Sequence, residues 1–535
     1  ARTGRVGNMA SDNLQFVVPE ATDLNDLQSK LQKVLGLSEV SSKTLEHTYY
    51  DSFDWLMYRS SHVLEQITGD GESLLLWRPL NTSSALASEK IKDSMKFVHD
   101  LPAGPLRSGL DGILEMRAFL PQARVRTRVQ TFSLLDDEEK TVLRLAIEQH
   151  ALLGRKGSKS RKLGVRLQVL PVKGYHKPEK KAVRILRKEL GLAVAEDDLM
   201  LVALAAQSSQ PGEYSSKLKL HLEPDMRADA ATRAILLRLL EIIRDNEEGT
   251  KQDIDSEFLH DFRVAIRKTR SALSQIKGVF PQRVLEKYSA GFAWLGSVTG
   301  PTRDMDVYLL TFDHYRSSLP KSIQADIDPL HEFLIAHHKQ EQAALAKILN
   351  SSRYRRLLDT WQATLEAPLP ARSTLPNATR PVIEVADKRI LRVYKRVVKE
   401  GLAIRPDSDA ELLHDLRKTC KKLRYLMEFF QSLYPASKIG ELIGVLKSLQ
   451  SNLGDFQDYE VQAETLKLFS NQMVKEGNAP PQTLMAMGVL VEGLEARQHT
   501  TREEFAKRFG KFAEAENQDK FNKLFRLPRA KKEAK

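Results

Sequence analysis

Cysteine is nearly absent from this chain of 535 residues, with Cys420 as the single example. One cysteine cannot form an intrachain disulfide or supply the several thiolates of a structural zinc site, so both are excluded. The sequence also lacks any apolar run near the ~20 residues that a membrane-spanning helix requires. Even its most apolar helical stretch, 234–243, contains Arg238 and Glu241. These absences predict a cytoplasmic protein.

Aromatic residues are sparse, at 7%, and they do not alternate with basic residues as in common RNA-binding motifs. Walker loops, HExxH zinc motifs and Gly-x-Ser-x-Gly nucleophile motifs are missing. Basic residues, by contrast, are in excess, with 82 Lys and Arg against 70 Asp and Glu. Residues 151–188 alone contain 13 Lys and Arg and one carboxylate, Glu179. This excess predicts an anionic partner.

The hydrophobic pattern divides the chain into two regions. Residues 14–210 combine a helical period at 23–37 with short strand-like runs at 73–77, 113–120, 125–134 and 164–172, which predicts an α+β domain. From residue 225 onward the pattern is helical throughout and predicts an all-α domain of about ten helices. We interpret 1–13 as a tag or disordered start, 211–224 as a linker and 516–535 as a frayed basic tail.

An internal repeat is the strongest signal in the helical region. HDFRVAIRKTRSALSQIKGVFP, from His260, aligns without a gap to HDLRKTCKKLRYLMEFFQSLYP, from His414, at an offset of 154 residues (414 minus 260). The alignment continues through LGSVTGPTRDMDV and LQSNLGDFQDYEV, with 11 identities in 48 positions. A duplicated helical unit with pseudo-twofold symmetry follows, with halves at about 225–350 and 380–515.

Each copy places a histidine and three basic residues on one face of a helix, because their spacing is 3, 4 and 3. The first stripe is His260, Arg263, Arg267 and Arg270, and the second is His414, Arg417, Lys421 and Arg424. Like charges at this spacing repel one another, so two such stripes suggest an anion that neutralises them. The alternatives are a solvated basic face, and for His260–Asp261 and His414–Asp415 a hydrogen-bonded pair at a helix start. Asp304 and Asp458 also recur, and we expect them to pair with arginines or cap a helix.

Further basic residues share a face of the helix that follows Pro381. They are Lys388, Arg392, Lys395 and Lys399. Arg392 matches Arg238 at the same offset of 154, so we include Lys388, Arg392, Lys395 and Arg238 among the candidate anion ligands.

The doubled HDFRVAIRKTR and HDLRKTCKKLR segments, each followed by an LG-like element and an aspartate, resemble the CHAD family (conserved histidine α-helical domain) over about 225–515. The resemblance implies two pseudo-symmetric four-helix bundles whose histidines and basic residues line a central groove. It also implies binding of inorganic polyphosphate and association with polyphosphate granules. The ligands carried over by position are the eight residues of the two stripes.

The N-terminal region more faintly resembles a CYTH domain, an antiparallel barrel with a triphosphate tunnel, through TYYDSFDWLMYRSSHVLE from Thr48. It departs from that family in lacking a Glu-x-Glu-x-Lys first strand, and Leu64, Glu65, Gln66 and Ile67 stand where Leu-Arg-x-Arg is expected. The strand LGVRLQVLPV also has no carboxylate. We therefore expect a degenerate, inactive domain without a metal or other cofactor. Arg124, Arg126 and Arg128 share one strand face, either as a basic barrel wall or as surface residues.

These observations predict a non-enzymatic polyphosphate-binding protein. An inorganic triphosphatase of the CYTH type remains open as an enzyme alternative, and a nucleic-acid or phosphoprotein binder as a further binding alternative. No membrane partner is expected.

Overall fold

The computed structural model describes residues 14–92, 95–154 and 160–525. The interpretation of residues 1–13 therefore lies outside the described residues, as does that of 526–535. Internal contacts divide the chain into two units between Ser215 and Ser216. In the described part of the chain, no helix is both long enough and apolar enough to cross a membrane.

The described part of the N-terminal unit contains nine strands and five α-helices. The strands are β1 (Gln15–Val18), β2 (Ser38–Asp51), β3 (His62–Gly69), β4 (Glu72–Pro79), β5 (Ala87–Lys90), β6 (Leu120–Leu135), β7 (Thr141–Leu152), β8 (Arg161–Pro171) and β9 (Ala193–Val194). The helices are α1 (Leu24–Leu35), α2 (Leu56–Arg59), α3 (Pro105–Leu114), α4 (His176–Arg184) and α5 (Leu199–Ala206). A π turn, Ile185–Glu189, extends α4.

All strands belong to one antiparallel sheet with the order β5-β4-β3-β2-β6-β7-β8-β1-β9. The apolar run 113–120 is not a strand, because Ile113 belongs to α3 and β6 begins at Leu120. Strand β7, which the sequence analysis did not predict, pairs with both β6 and β8. The sheet curls around a cavity of about 500 Å³ that is lined from eight of the strands. The predicted α+β fold is thereby confirmed.

Alternation along the strands separates the inner face of the sheet from its outer face. On β7, Leu143, Leu145 and Ile147 point outward into a core formed with α1 and α4, while Glu148 and His150 line the cavity. Helix α1 is fixed on this surface by its ends, since Asp23 accepts a hydrogen bond from Asn25 N at 2.8 Å and Gly36 adopts φ 68°. The helices thus cover the outside and leave the polar interior open.

The described part of the C-terminal unit contains eleven α-helices. They are α6 (Ala228–Lys251), α7 (Ser256–Gln275), α8 (Gln282–Val298), α9 (Gly300–Ser318), α10 (Asp328–Leu349), α11 (Ser352–Glu366), α12 (Val382–Leu402), α13 (Ala410–Phe430), α14 (Ala436–Lys475), α15 (Pro481–Phe512) and α16 (Ala515–Leu524). Two 3₁₀ segments, Lys321–Ile327 and Gln431–Leu433, connect them. The predicted all-α domain of about ten helices is confirmed.

The offset of 154 residues maps the first half of this unit onto the second. Adding 154 to α8 and α9 gives 436–452 and 454–472, which together make up the single long helix α14. The first half breaks between α8 and α9 because Pro301 has no N–H to continue the helix, whereas Asp455 occupies the equivalent position in α14. One proline therefore accounts for this difference between the halves.

The hydrophobic interior does not divide along the repeat. One cluster joins residues of α6, α7 and α8 to residues of α12, α13 and α14, and a second joins α9 and α10 to the distal part of α14 and to α15. Each cluster thus takes residues from both halves, so the two helical bundles share their cores. Shared cores fix the position of α7 relative to α13, on which the two basic stripes lie.

The predicted linker and the described part of the predicted basic tail both contribute residues to the helical core. Leu218 and Leu222, in the predicted linker 211–224, are buried in the larger helical cluster. Helix α16 occupies the start of the predicted basic tail and buries Phe521 and Phe525 in the same cluster. The prediction of a frayed end is therefore wrong as far as residue 525. Single apolar residues anchor both segments, and in the tail they are outnumbered by the basic residues that suggested a solvated end.

Candidate functional site

The first basic stripe lies on α7, where its four residues differ in burial. Arg263 is half-buried and donates to the carbonyl of Gly296 at 2.9 Å and to Thr299 Oγ1 at 2.7 Å. Arg267 and Arg270 are exposed. His260 is half-buried, with its Nδ1 3.0 Å from Arg303. The predicted stripe therefore has an inner end fixed by hydrogen bonds and an outer end open to solvent.

The second stripe lies on α13 and has more carboxylate neighbours. His414 Nε2 is 2.6 Å from Glu460, and Arg417 donates to Gln457 at 3.1 Å and to Asp458 at 3.2 Å. Arg424 donates to Glu428 at 2.9 Å and to Gln450 at 3.1 Å. Lys421 is half-buried between them.

The histidine–aspartate pairs do not begin their helices, so the helix-start interpretation is wrong. Asp255 caps α7 through a 3.0 Å hydrogen bond from Glu257 N, and α13 begins at Ala410. Asp415 instead pairs with Lys418 at 3.0 Å. Asp458 pairs with Arg417, whereas Asp304 is close enough to Arg263 for that guanidinium to act on its pKa, which burial raises.

The structure brings the two stripes together. Burial and the nearby charges of Arg417 and Arg267 lower the pKa of Lys421 to about 8, so a residue of α7 acts directly on a residue of α13. Arg267 and Lys421 are equivalent positions of the repeat, which places them beside the pseudo-twofold axis. The two helices are also joined by Lys268, whose Nζ is 3.0 Å from Glu428. The basic residues of the two stripes therefore lie close together, and we give the name groove to this surface of α7 and α13, defined by the eight stripe residues.

Positive charge in the groove is only partly compensated by the protein. In the described part of the chain, no other residue forms a hydrogen bond or ion pair with the side chains of Arg267, Arg270 and Lys421. Two buried guanidinium nitrogens are also left unpaired, since the Nε atoms of Arg263 and Arg417 have no hydrogen-bond partner within the described structure. Unpaired cations at close range are costly, and an anionic ligand would remove that cost.

A separate basic pocket lies at the start of α12 and includes two of the other predicted residues, Lys388 and Arg392. Lys277, Arg380 and Arg389, which the sequence analysis missed, complete its cationic lining, and its volume is about 130 Å³. Arg389 donates to Gln275 of α7 at 2.7 Å. No helical periodicity could have indicated Lys277, because it lies in the turn after α7 and reaches the pocket only through the fold.

The remaining two predicted residues have different surroundings. Lys395 is exposed on α12 and makes no ion pair among the described residues. Arg238 is half-buried on α6 and forms an ion pair with Glu241 at 2.8 Å. Its charge is therefore compensated within its own helix, unlike that of Arg392 at the equivalent position of the repeat.

The cavity of the N-terminal unit contains charged residues of both signs. Arg78 on β4 donates to Glu65 at 2.9 Å and to both oxygens of Asp198, at 2.5 and 3.0 Å. Asp198 follows β9, so this ion pair joins the two ends of the curled sheet. Burial raises the pKa of Glu65, but His47 and Arg78 outweigh it and lower that pKa to about 2.

Other polar atoms of the cavity lack hydrogen-bond partners in the described part of the chain. His47 and His150 each present a buried Nε2 that has no hydrogen-bond partner among the described residues, although the Nε2 of His150 lies 3.7 Å from a carboxylate oxygen of Glu148. Burial lowers the pKa of His150 to about 3 and raises that of Glu148 to about 7. Burial thus favours the neutral form of both groups, and the interior is not the row of cations that a polyphosphate chain requires.

Glu65 stands at one of the motif positions that the sequence analysis compared, but only its departure from arginine was noted there, whereas Glu148 lies outside those positions. Glu148 belongs to β7, which was not predicted, and Glu65 is held by His47 and Arg78. These groups do not fit a catalytic metal, and within the described residues no three His, Cys, Asp or Glu side chains are arranged to hold one. Arg124, Arg126 and Arg128 face outward and are exposed, which settles the two alternatives in favour of surface residues.

Comparison with known proteins supports this description of the helical unit. A family model described as the CHAD domain matches residues 234–467. The uncharacterized proteins MT2285 and Rv2226 of Mycobacterium tuberculosis are each 27% identical to the chain over 268 residues, 48% of this chain and 48% of their own length. The chain therefore spans about half the length of the curated relatives it matches.

Comparison with solved structures found matches that each cover part of this chain. The CHAD domain from the plant Ricinus communis is 25% identical, covers 56% of this chain and 97% of its own, and has a TM-score of 0.47. PptA from Streptomyces chartreusis is 18% identical, with 53% and 99% covered and a TM-score of 0.39. HpAC1 from Hippeastrum, for which a dominant triphosphatase activity is described, is 13% identical, with 38% and 99% covered and a TM-score of 0.26. The family match, as the doubled His-Asp-x-Arg segments predicted, shows that the helical unit carries a CHAD domain at residues 234–467.

Proposed function

We propose that this protein binds inorganic polyphosphate in the groove between α7 and α13, without catalysing a reaction. The observation that carries the proposal is the group of Arg267, Arg270 and Lys421, which come from both copies of the repeat and have no described partner. A linear polyanion supplies one negative charge per unit along its length and so matches a row of cations on rigid helices. Arginine contacts phosphate with two N–H groups, and lysine acts as a point charge.

The same chemistry suggests where the protein acts. Polyphosphate offers no bases, so its binding depends on cations alone, whereas single-stranded nucleic acids gain affinity from exposed aromatic stacking surfaces. Tyr425, which lies beside Arg424 of the second stripe, is buried. We expect the protein to be cytoplasmic and to associate with polyphosphate granules. In the N-terminal unit, the engagement of Glu65 by Arg78 and His47 argues against the alternative of a metal-dependent triphosphatase.

A titration of the purified protein with fluorescent long-chain polyphosphate tests the proposal against its alternatives. We expect binding that weakens steeply between about 50 and 200 mM salt, as for other polyanions, and that excess DNA or RNA fails to displace. With Mg²⁺ or Mn²⁺ and triphosphate, phosphate release should not exceed that of a sample without protein. Displacement by nucleic acid would favour the nucleic-acid alternative, and sustained phosphate release would establish the enzyme.

Affinity for polyphosphate is expected to fall as pH rises above about 8. Since burial and the charges of Arg417 and Arg267 lower the pKa of Lys421 to about 8, the free protein loses this proton from about pH 8 upward. A bound phosphate stabilises the ammonium and raises its pKa, so the complex holds more protons than the free protein. Affinity should therefore decrease with pH, by at most about tenfold per pH unit for this one group.

The matched control is Lys421→Arg, because guanidinium stays protonated throughout this range. Calorimetric titrations between about pH 7 and 9.5 should show a sloping affinity for the wild type and a flat one for Lys421→Arg. Equal pH dependence in both proteins would show that Lys421 does not contact the ligand.

A further inference from the structure

The groove has different surroundings at its two ends. Beyond Arg270, α7 continues to Gln275, which holds Arg389 of the α12 pocket at 2.7 Å. At ~1.5 Å per residue, Gln275 is roughly 8 Å along the helix axis from Arg270. The α12 pocket, lined by Lys277, Lys388, Arg389 and Arg392, therefore lies next to one end of the groove.

This pocket is strongly basic and poorly compensated. Among its eight lining residues, five are Lys or Arg and one is acidic, Glu384, which already pairs with Arg380 at 2.7 Å. Lys277, Lys388 and Arg392 make no ion pair with any described residue. Burial, together with the charges of Arg392 and Arg396, lowers the pKa of Arg389, whose buried Nε has no described partner.

The pocket wall is fixed by the backbone rather than by mobile side chains alone. Gly278 adopts φ 73° in the turn after α7, and its carbonyl accepts a hydrogen bond from Asn377 N at 3.0 Å. The Asn377 side chain donates to the carbonyl of Lys277 at 2.7 Å. These bonds hold the Lys277 turn against the segment that precedes α12, so the pocket exists before a ligand enters.

The equivalent positions at the second end of the groove lack most of these cations. At the offset of 154, Lys277 corresponds to Gln431, Lys388 to Ala234 and Arg389 to the buried Ile235. Only Arg392 keeps a basic counterpart, Arg238, which pairs with Glu241. The pseudo-symmetry of the two stripes therefore fails at this feature, and the groove has one basic end.

We propose that the α12 pocket binds the terminal phosphate group of a polyphosphate chain whose interior occupies the groove, an inference that rests on the proposed function. A terminal phosphate carries about −1.5 to −2 charges near pH 7, as a phosphate monoester does, whereas each internal unit carries one. Four cations that have no acidic partner among the described residues surround about 130 Å³ and suit a compact group of higher charge. An end site fixes the register and direction of a bound chain.

Linear and cyclic phosphates of equal length separate this inference from simple charge attraction, because a ring has no terminal group. We expect the wild type to bind linear hexaphosphate at least about tenfold more tightly than cyclic hexametaphosphate. Lys388→Ala with Arg392→Ala should reduce that ratio to about two, with little loss of affinity for long chains. The control Lys507→Ala with Lys511→Ala, on exposed positions of α15, removes the same charge and should keep the ratio.

An unchanged linear-to-cyclic ratio in Lys388→Ala with Arg392→Ala, or equal binding of both probes by the wild type, would overturn the end site. Orthophosphate that competed as strongly as linear hexaphosphate would identify a site for free phosphate instead. If long-chain polyphosphate itself failed to bind, the proposed function would fail. If long-chain polyphosphate bound but the protein showed no preference for free chain ends, the end site would fail and the proposed function would stand.

Discussion

Replacing Arg267, Arg270, Arg417 and Lys421 together by alanine is expected to weaken long-chain polyphosphate binding at least about 100-fold. Each charge-assisted contact to a phosphate contributes on the order of 1.5–3 kcal/mol before competition from water and salt. Because about 1.4 kcal/mol corresponds to tenfold in affinity, each pair of substitutions should cost at least about tenfold. The fold should persist, because removing neighbouring like charges relieves repulsion at Lys421.

The two halves of this variant test whether both copies of the repeat serve one ligand. Arg267→Ala with Arg270→Ala and Arg417→Ala with Lys421→Ala should each weaken binding about tenfold, since both rows contact the same chain. Lys507→Ala with Lys511→Ala should change affinity less than about twofold. A quadruple variant that remained helical by circular dichroism and bound as well as the wild type would show that the stripes are only a solvated surface.

The repeat makes the helical unit and its stripes predictable from the amino-acid sequence alone. The identical residues occur at the same spacing in both segments, so they fix which residues of the two copies correspond. His260 and His414 are therefore enough to locate α7 and α13. The sequence could not show that Arg263 and Arg417 are held by protein groups while Arg267 remains unpaired. That distinction depends on the neighbouring α8–α9 and α14 residues, such as Thr299 and Asp458, which are distant in sequence.

The N-terminal unit was less predictable because its cavity is assembled from short contributions of many strands. Arg78 and Asp198 are 120 positions apart, yet they form the ion pair that joins the ends of the sheet. Motif comparison examines neighbours along one strand, and it therefore correctly found no carboxylate on β8 but missed Glu148 on β7. The pairing of strands that are distant in sequence, and not local propensity, decides which charged residues line the same cavity.

The chain end shows how few residues can order a segment that looks polar. Phe521 of α16 is fully buried and stacks on Tyr394 of α12, with ring centroids 3.9 Å apart and planes 10° apart. It also meets Phe512 edge-on at 6.1 Å. Most other residues of α16 are exposed, so the average composition conceals this anchor.

Phe521→Ala is therefore expected to destabilise the helical unit by about 3–5 kcal/mol, the usual cost of removing a buried phenylalanine side chain. Asn522→Ala, one position further on the exposed face, should change stability by less than about 0.5 kcal/mol. Native-state hydrogen exchange of α12 and α15 measures this unit separately from the N-terminal one, which matters because a chain of two units need not unfold in a single step. Equal protection of α12 in Phe521→Ala and Asn522→Ala would show that α16 contributes no packing energy and that the end of the chain is frayed.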